Sequence, residues 1–341
     1  MSAPRGRLVD TSLVHGGVPG IGLEGDVLSV SVFPVAGGKI LDLVHKPTGF
    51  NLLWRNPRVS LAPTYAGAAF DDVWCGGWDE LFPTDPPCDF EGTSYHDHGD
   101  LWIGPWEWSV ERDDGEEATL RLARWSVVLP CLMEKWISIR REGSSLAFRS
   151  RLRNVGARPV AFLWNQHVAH AVEPGSRVHL PARCLGVEAP YFGRGGDGVS
   201  DLAWPVHEDP SGTRHDLSRV PGPESALSEF FFARDLSAGR CAVTHPAAGV
   251  GLELQFDRDV FSTVWLFGVY GGWRGHNFLL TEPCTSPPGS LARAVEHGQE
   301  AVLEAGETLE TRVVATVIDA SAPAEAPQDG SDPIANDGSR S

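Results

Sequence analysis

Hydrophobic and polar residues alternate along much of this chain in short segments, which glycine, proline, asparagine and aspartate separate. Clear examples are residues 27–33, 39–45, 119–125, 132–139 and 145–152. A period of two places alternate side chains on opposite faces of a β-strand, whereas no segment shows the longer period of an extended amphipathic helix. The pattern therefore predicts an all-β protein of consecutive antiparallel strands with one face in water.

The C-terminal half repeats this pattern at residues 250–256, 262–267, 277–285, 301–303 and 311–318. No linker separates the halves, so we predict a single domain, a large antiparallel β-sandwich over residues 21–319, after an N-terminal extension at 1–20. Residues 320–341 are rich in Ala, Pro, Asp, Ser and Gly, and we expect a disordered C-terminal tail. The polar, proline-rich residues 197–228 predict a long excursion from one end of the sandwich.

The charge balance limits the partners. The 341 residues include 28 basic and 45 acidic side chains, a net charge of −17, which argues against nucleic acid and anionic membrane surfaces as partners. No apolar segment near the N-terminus is typical of a signal peptide, and the six cysteines form no CxxC pair. We therefore expect a cytoplasmic protein with reduced thiols.

The most informative segment is 277–285, because it places the carboxylate of Glu282 at the end of an apolar strand, directly before Pro283. A carboxylate there is costly to desolvate unless it is paired or used, and its pKa can be adjusted for proton transfer. His167 follows Trp164 and Gln166 in a second apolar segment. Because the ordinary pKa of histidine is about 6.5, His167 could donate and recover a proton near neutrality.

A third segment contains His96 and His98, which would share one face of an extended strand and could bind a metal, as in cupins. The setting of a cupin site is not evident, so we do not expect a metal at these histidines. Of the two histidines we favour His98 as functional, because Gly99 allows close access.

Residues 75–85 and the 12 tryptophans add candidate contacts for a polyol ligand. Asp79 or Glu80 could accept hydrogen bonds from hydroxyl groups, whereas Asp85 is interpreted as a solvated loop residue. An indole offers a flat apolar face and one N–H donor, which suits stacking on a sugar ring. The candidate substrate-binding residues are Asp79, Glu80, Trp102, Trp164, Gln166, Trp273 and Arg274.

Several landmarks occur in an order that resembles the aldose 1-epimerase (galactose mutarotase-like) superfamily over residues 25–318. They are Gly76-Gly77, Phe82-Pro83, His98-Gly99, Trp164 with His167, and Glu282-Pro283. The resemblance implies a galactose mutarotase-like supersandwich acting on a small-molecule carbohydrate, without a cofactor, as a monomer or homodimer. It also implies that Glu282 takes the proton of the anomeric hydroxyl, His167 protonates the ring oxygen, and His98 polarises or positions that oxygen.

The sequence departs from relatives that act on hexose 6-phosphates. They carry arginines where this chain has Cys75 and Trp102, so two bidentate phosphate donors are missing, although Arg274 could compensate in part. We therefore expect mutarotation of an unphosphorylated sugar. Two alternatives stay open. One is another carbohydrate-active enzyme, an isomerase, lyase or hydrolase, in which hydrolysis would pair Glu282 with Asp79 or Glu80. The other is a non-catalytic carbohydrate-binding protein.

Overall fold

The computed structural model describes residues 6–321, which form 28 strands and two short α-helices besides three 3₁₀ turns. The helices are α1, Phe70–Val73, and α2, Leu291–Glu296. The strands of the first half are β1 Val9–Asp10, β2 Val14–His15, β3 Val18–Pro19, β4 Ile21–Glu24, β5 Leu28–Phe33, β6 Lys39–His45, β7 Phe50–Asn51, β8 Trp78–Leu81, β9 Cys88–Phe90, β10 Thr93–Tyr95, β11 Glu107–Asp113, β12 Glu117–Trp125, β13 Cys131–Arg140, β14 Ser145–Asn154, β15 Val160–Phe162 and β16 Asn165–His170. Those of the second half are β17 Arg177–His179, β18 Cys184–Phe192, β19 Asp201–Ala203, β20 Val206–Glu208, β21 Arg214–Asp216, β22 Leu227–Ala233, β23 Arg240–His245, β24 Val250–Phe256, β25 Thr263–Tyr270, β26 Asn277–Cys284, β27 Ala301–Leu303 and β28 Thr308–Asp319.

Two large antiparallel sheets account for most of these strands. The first sheet has 12 strands in the order β1-β4-β5-β6-β8-β16-β26-β25-β22-β18-β19, with β7 paired to β6. The second sheet has eight strands in the order β11-β12-β13-β14-β28-β24-β23-β17. The prediction of an all-β antiparallel sandwich is confirmed.

The core lies between the sheets, because both contribute to one cluster of buried side chains. Val30 and Val32 of β5 enter it from the first sheet, and Leu120 and Leu122 of β12 enter it from the second. These are alternate residues of each strand, as the sequence period requires. Burying each such side chain contributes roughly 1.5–3 kcal/mol to stability.

The predicted N-terminal extension and the predicted excursion both contribute strands to the first sheet. Within the predicted N-terminal extension, Leu8 is buried in the core and β1 pairs with β4. The segment 197–228, expected as an irregular excursion, contains the short strands β19, β20 and β21, of which β19 pairs with β18 in the first sheet. Residues 322–341, almost all of the predicted tail, lie outside the described residues.

The register of the first sheet determines which side chains share the face that carries His167 and Glu282. His167 of β16 lies opposite Asp79 of β8, and Glu282 of β26 lies opposite Trp265 of β25. Alternate residues of these neighbouring strands share a face, so the register decides which side chains can meet. No helix within residues 6–321 has the length and apolar character needed to cross a membrane.

Candidate active site

A pocket with a volume of about 170 Å³ opens on the face of the first sheet that carries His167 and Glu282. Pockets for drug-sized ligands are larger, about 300–1,000 Å³, so this one suits a monosaccharide better than a polymer. Its lining combines several titratable side chains with many aromatic ones. The lining residues are Phe70, Asp71, Trp74, Asp85, His98, His167, Tyr191, Phe230, Trp265, Phe267, Trp273, Phe278, Leu280 and Glu282.

Two predicted catalytic residues reach the pocket from adjacent strands. His167 lies on β16 and Glu282 on β26, and each is 2% exposed. Asn165, also on β16, donates a hydrogen bond from Nδ2 to Oε2 of Glu282 at 2.6 Å. The Nδ1 atom of His167 has no hydrogen-bond partner among the described residues. The sheet thus presents a carboxylate and an imidazole that remain available to a ligand.

The third predicted catalytic residue, His98, lies in a turn and not on the extended segment that its spacing with His96 suggests. Its φ of 60° is in the left-handed region, and Gly99 follows with a φ of 72°. Gly99 is needed for packing, since a Cβ there would lie 2.0 Å from the carbonyl oxygen of Phe82. The His98 ring stacks on Phe70 at 3.7 Å between centroids. No cluster of three or more His, Cys, Asp or Glu within residues 6–321 is arranged to hold a metal ion.

Carboxylates surround His98 and favour its charged form. Nδ1 lies 2.8 Å from Oδ1 of Asp97, and Nε2 lies 3.6 Å from Oδ1 of Asp85. Burial by itself would lower the pKa of His98, but Asp85, Asp97 and Asp71 outweigh that effect and raise the pKa to about 9. His98 is therefore an imidazolium at neutral pH.

The pKa values of Glu282 and His167 are shifted in opposite directions. Burial, with a smaller contribution from Asp85, raises the pKa of Glu282 to about 8, although Asn165 and His98 oppose the rise. Burial lowers the pKa of His167 well below its ordinary value, and the positive charges of His98 and Lys39 add to this effect. The pocket thus contains a carboxyl group of high proton affinity, a charged histidine and a neutral histidine.

Asp85 is a site residue that the sequence did not reveal. The interpretation of Asp85 as a solvated loop residue is wrong, because its side chain lines the pocket and is 16% exposed. Burial raises its own pKa, against the charge of His98. The available sequence signal was its position, four residues after the end of β8, the strand that pairs with the His167 strand.

Three predicted substrate-binding residues lie on the opposite face of the first sheet. Glu80 Oε2 accepts hydrogen bonds from Trp164 Nε1 at 2.6 Å and from Gln166 Nε2 at 2.7 Å. Its Oε1 pairs with Lys135 of the second sheet at 2.5 Å. Gln166 is adjacent to His167 in an extended strand, so its side chain must point the other way. Glu80, Trp164 and Gln166 form a buried network between the sheets and do not line the pocket.

The remaining predicted contacts surround the pocket, and only Trp273 lines it. Asp79 is buried behind the lining, where it pairs with Lys39 and accepts a hydrogen bond from Trp74 Nε1 at 3.1 Å. Trp102 packs edge-on against Phe70 and donates to the Asp97 carbonyl at 3.0 Å. Arg274 lies outside the pocket.

The Arg274 side chain is 41% exposed, and its Nη1 donates to Oδ1 of Asp72 at 2.8 Å. It also lies over the Trp273 ring, with the guanidinium carbon 4.9 Å from the ring centroid. Arg274 is not among the described residues that line the pocket, although it contacts two of them, Trp273 and Asp71. Its partial compensation for the missing phosphate donors stays a prediction.

Solved structures with the same architecture are numerous, although no family model and no curated protein sequence matches the chain. A candidate aldose 1-epimerase from Klebsiella pneumoniae superposes with a TM-score of 0.73 at 16% identity, covering 90% of this chain and 83% of the other. A galactose mutarotase-like protein from Clostridium acetobutylicum gives 0.63 at 13% identity, covering 91% and 98%. A protein from Synechocystis sp. PCC 6803 gives 0.60 at 20% identity, covering 91% and 97%. At these identities the likeness establishes the fold, and the chain has the galactose mutarotase-like fold of the superfamily that its sequence resembles.

Proposed function

We propose that this protein is an isomerase that interconverts the anomers of an unphosphorylated sugar by general acid–base catalysis. The observation that carries the proposal is the convergence of Glu282, His98 and His167 on one small pocket. A carboxylate base and a histidine acid are the groups that opening and closing a sugar ring requires. None of the described residues that line this pocket is a lysine or arginine, which supports a substrate without phosphate.

The reaction begins when the Glu282 carboxylate takes the proton of the anomeric hydroxyl. The C1–O1 bond becomes a carbonyl as the bond between C1 and the ring oxygen breaks, and the ring oxygen takes a proton from an imidazolium. Rotation about the C1–C2 bond presents the other carbonyl face. The ring hydroxyl then attacks C1, its proton returns to the histidine, and Glu282 returns its proton to O1.

The electrostatics favour His98 as the proton donor, although the family resemblance implies His167. His98 is the charged histidine, because its pKa is about 9, whereas the pKa of His167 is far below neutrality. In this assignment His167 is a neutral hydrogen-bonding group that positions the ring through its free Nδ1.

A second candidate, glycoside hydrolysis, is favoured by one observation, namely that Asp85 and Glu282 are two carboxyl groups in the same pocket. This pair replaces the combination of Glu282 with Asp79 or Glu80, because both of those partners are bound to buried lysines.

Anomer-exchange NMR over a panel of free aldoses tests the leading proposal, with mass spectrometry of the same samples. Mutarotation accelerates exchange and leaves the mass unchanged. Release of a sugar from glycosides, without accelerated exchange of any free aldose, would replace mutarotation by hydrolysis.

A further inference from the structure

The pocket divides into two chemically different halves along the strand order. His167 on β16 and Glu282 near the end of β26 lie at one half, together with Asp85 from the turn after β8 and His98 from the turn after β10. The next strands, β25, β22 and β18, contribute aromatic side chains. We call this second half the aromatic wall, and it consists of Tyr191, Phe230, Trp265 and Phe267 from these strands and Trp273 from the turn after β25.

The aromatic wall is continuous and packed. The Phe267 ring contacts Phe230 at 5.5 Å, Tyr191 at 5.2 Å and Trp273 at 6.4 Å between centroids. These separations lie in the range of edge-to-face aromatic pairs, so the side chains hold one another in place. The wall is therefore a preformed apolar surface inside the pocket.

Few polar atoms of the wall are free to meet a ligand. The indole nitrogen of Trp265 donates to the Ser286 carbonyl at 2.7 Å, which occupies its only N–H. The Tyr191 hydroxyl and the Trp273 indole N–H are the other polar side-chain atoms of the wall. A sugar hydroxyl pressed against the phenylalanine rings would lose its water without gaining a partner, which costs affinity.

The wall adjoins the proposed base along the strand order, since Trp265 of β25 lies directly opposite Glu282 of β26. Glu282 on β26 and Phe230 on β22 are two strand intervals apart, about 10 Å at ~4.8 Å per interval. A pyranose with C1 at Glu282 and His98 and with its ring extending along the strand order brings C4 and the C6 group to the wall. The wall also disfavours charged groups, because its described lining contains no lysine or arginine, and Arg274, which lies over the Trp273 ring, is paired with Asp72.

We propose that the substrate is an aldose with a free anomeric hydroxyl and an apolar end remote from C1, such as a deoxy sugar. This inference rests on the proposed function and adds a substrate class to it. The polar half performs the ring chemistry on one end of the molecule. The aromatic wall selects a methyl or similar group at the other end over a hydroxymethyl, a phosphate or a carboxylate.

Matched pairs of sugars test this inference. D-Galactose is compared with D-fucose, its 6-deoxy form, and D-glucose with 6-deoxy-D-glucose, and kcat/KM for mutarotation is measured by polarimetry. We expect the deoxy sugar of at least one pair to be preferred about tenfold or more, equivalent to about 1.4 kcal/mol of differential binding. Equal or lower kcat/KM for the deoxy sugar in both pairs would overturn the inference, as would a preference for glucosamine, glucuronate or glucose 6-phosphate.

A matched pair of variants connects the preference with the wall. Phe230→Tyr adds a hydroxyl group to the wall, and we expect it to reduce the deoxy preference severalfold. Phe232→Tyr is the control, because Phe232 lies on the same face of β22 but outside the pocket lining, where Arg234 stacks on it. An equal effect of both variants on the deoxy preference would contradict its assignment to the aromatic wall.

The failure of the inference can be distinguished from the failure of the proposed function. Mutarotation of every sugar without a deoxy preference keeps the function and removes the inference. If no sugar of the panel is turned over, the proposed function fails. Calorimetric Kd values for the same pairs then test the preference for deoxy sugars by itself. Tighter binding of the deoxy sugars supports the inference, and equal or weaker binding overturns it.

Discussion

Asn165 donates a hydrogen bond to the carboxylate of Glu282 at 2.6 Å, from one strand of the first sheet to the next. The bond fixes one carboxylate oxygen inside the pocket and opposes the rise in the Glu282 pKa that burial causes. Asn165 is therefore a positioning residue for the proposed base, and it is buried with an Oδ1 that has no protein partner among the described residues.

Replacing Glu282 tests the base directly. We expect Glu282→Gln to reduce kcat for mutarotation by about 10²–10⁴, the usual contribution of a general base. The amide has nearly the same shape as the carboxyl group, so the circular dichroism spectrum and the melting temperature should stay close to wild type. A variant that is folded and retains near wild-type kcat would contradict the assignment.

The two histidines should differ in the size of their effects. His98→Gln removes the proposed proton donor, and we expect kcat to fall about 10²–10⁴. His167→Gln removes a neutral hydrogen-bonding group, which is typically worth about 1 kcal/mol, so a loss of about fivefold is expected. Steady-state kinetics of both variants on one sugar would compare them. The opposite order would restore His167 as the acid.

Asp85 should control the pH dependence of catalysis. The active state requires ionised Glu282 and charged His98, whose pKa values of about 8 and about 9 predict a bell-shaped kcat/KM profile with its maximum between them. Asp85 raises both pKa values, so Asp85→Asn should move both limbs to lower pH.

The control for this prediction is Asp72→Asn. Asp72 is an exposed carboxylate on α1 that pairs with Arg274 and does not line the pocket. We expect the pH profile of kcat/KM for Asp72→Asn to coincide with that of the wild type. NMR titration of His98 gives a second readout, and a His98 pKa that does not change in Asp85→Asn would reject the role of Asp85.

The sequence predicted the strands and the titratable residues that line the pocket better than the contacts around them. Glu282 and His167 were recognisable because each is a titratable residue in an apolar strand, and that combination is costly unless it is used. Gln166 was misplaced, although strand alternation alone excludes its sharing a face with His167.

The position of His98 and the burial of Asp85 could not be predicted from the residues next to them in the sequence. The position of His98 depends on a turn with positive φ, and the burial of Asp85 depends on strands distant in sequence that form the pocket. A polar residue in a loop gives no local sign of either, so these contacts could be found only from the folded chain.

The ion pair between Glu80 and Lys135 should stabilise the sandwich without taking part in binding. It joins β8 of the first sheet to β13 of the second, and both residues are less than 5% exposed. Glu80→Gln leaves the Lys135 charge buried without its partner, and we expect a loss of about 3–5 kcal/mol in the free energy of unfolding. Denaturant titration measures this loss.

The double variant Glu80→Gln/Lys135→Met removes the charge as well as its partner. We expect it to recover most of the lost stability and to have a KM close to wild type. A large rise in KM in a stable double variant would show that Glu80 contacts the substrate after all.

His170 should make the fold sensitive to acid. It is 1% exposed on the core side of β16, where its Nε2 hydrogen-bonds with the Thr281 hydroxyl at 2.7 Å. Burial, helped by His245, lowers its pKa to about 3. Below about pH 6.5 the unfolded chain binds a proton at this residue and the folded chain does not, so stability falls as the pH falls from about 6.5 towards 3.

The expected size of this effect follows from the two pKa values. Between pH 7 and pH 5, His170 should account for a loss of about 2 kcal/mol in the free energy of unfolding, which His170→Gln should not show. Thr281→Val is the matched control, because it removes the hydrogen bond and keeps the titrating ring. We expect it to be less stable at every pH, by about 1 kcal/mol, with the slope of the wild type. Urea titrations at pH 5, 6 and 7 measure all three proteins, and parallel curves for the wild type and His170→Gln would mean that His170 is protonated in the folded state.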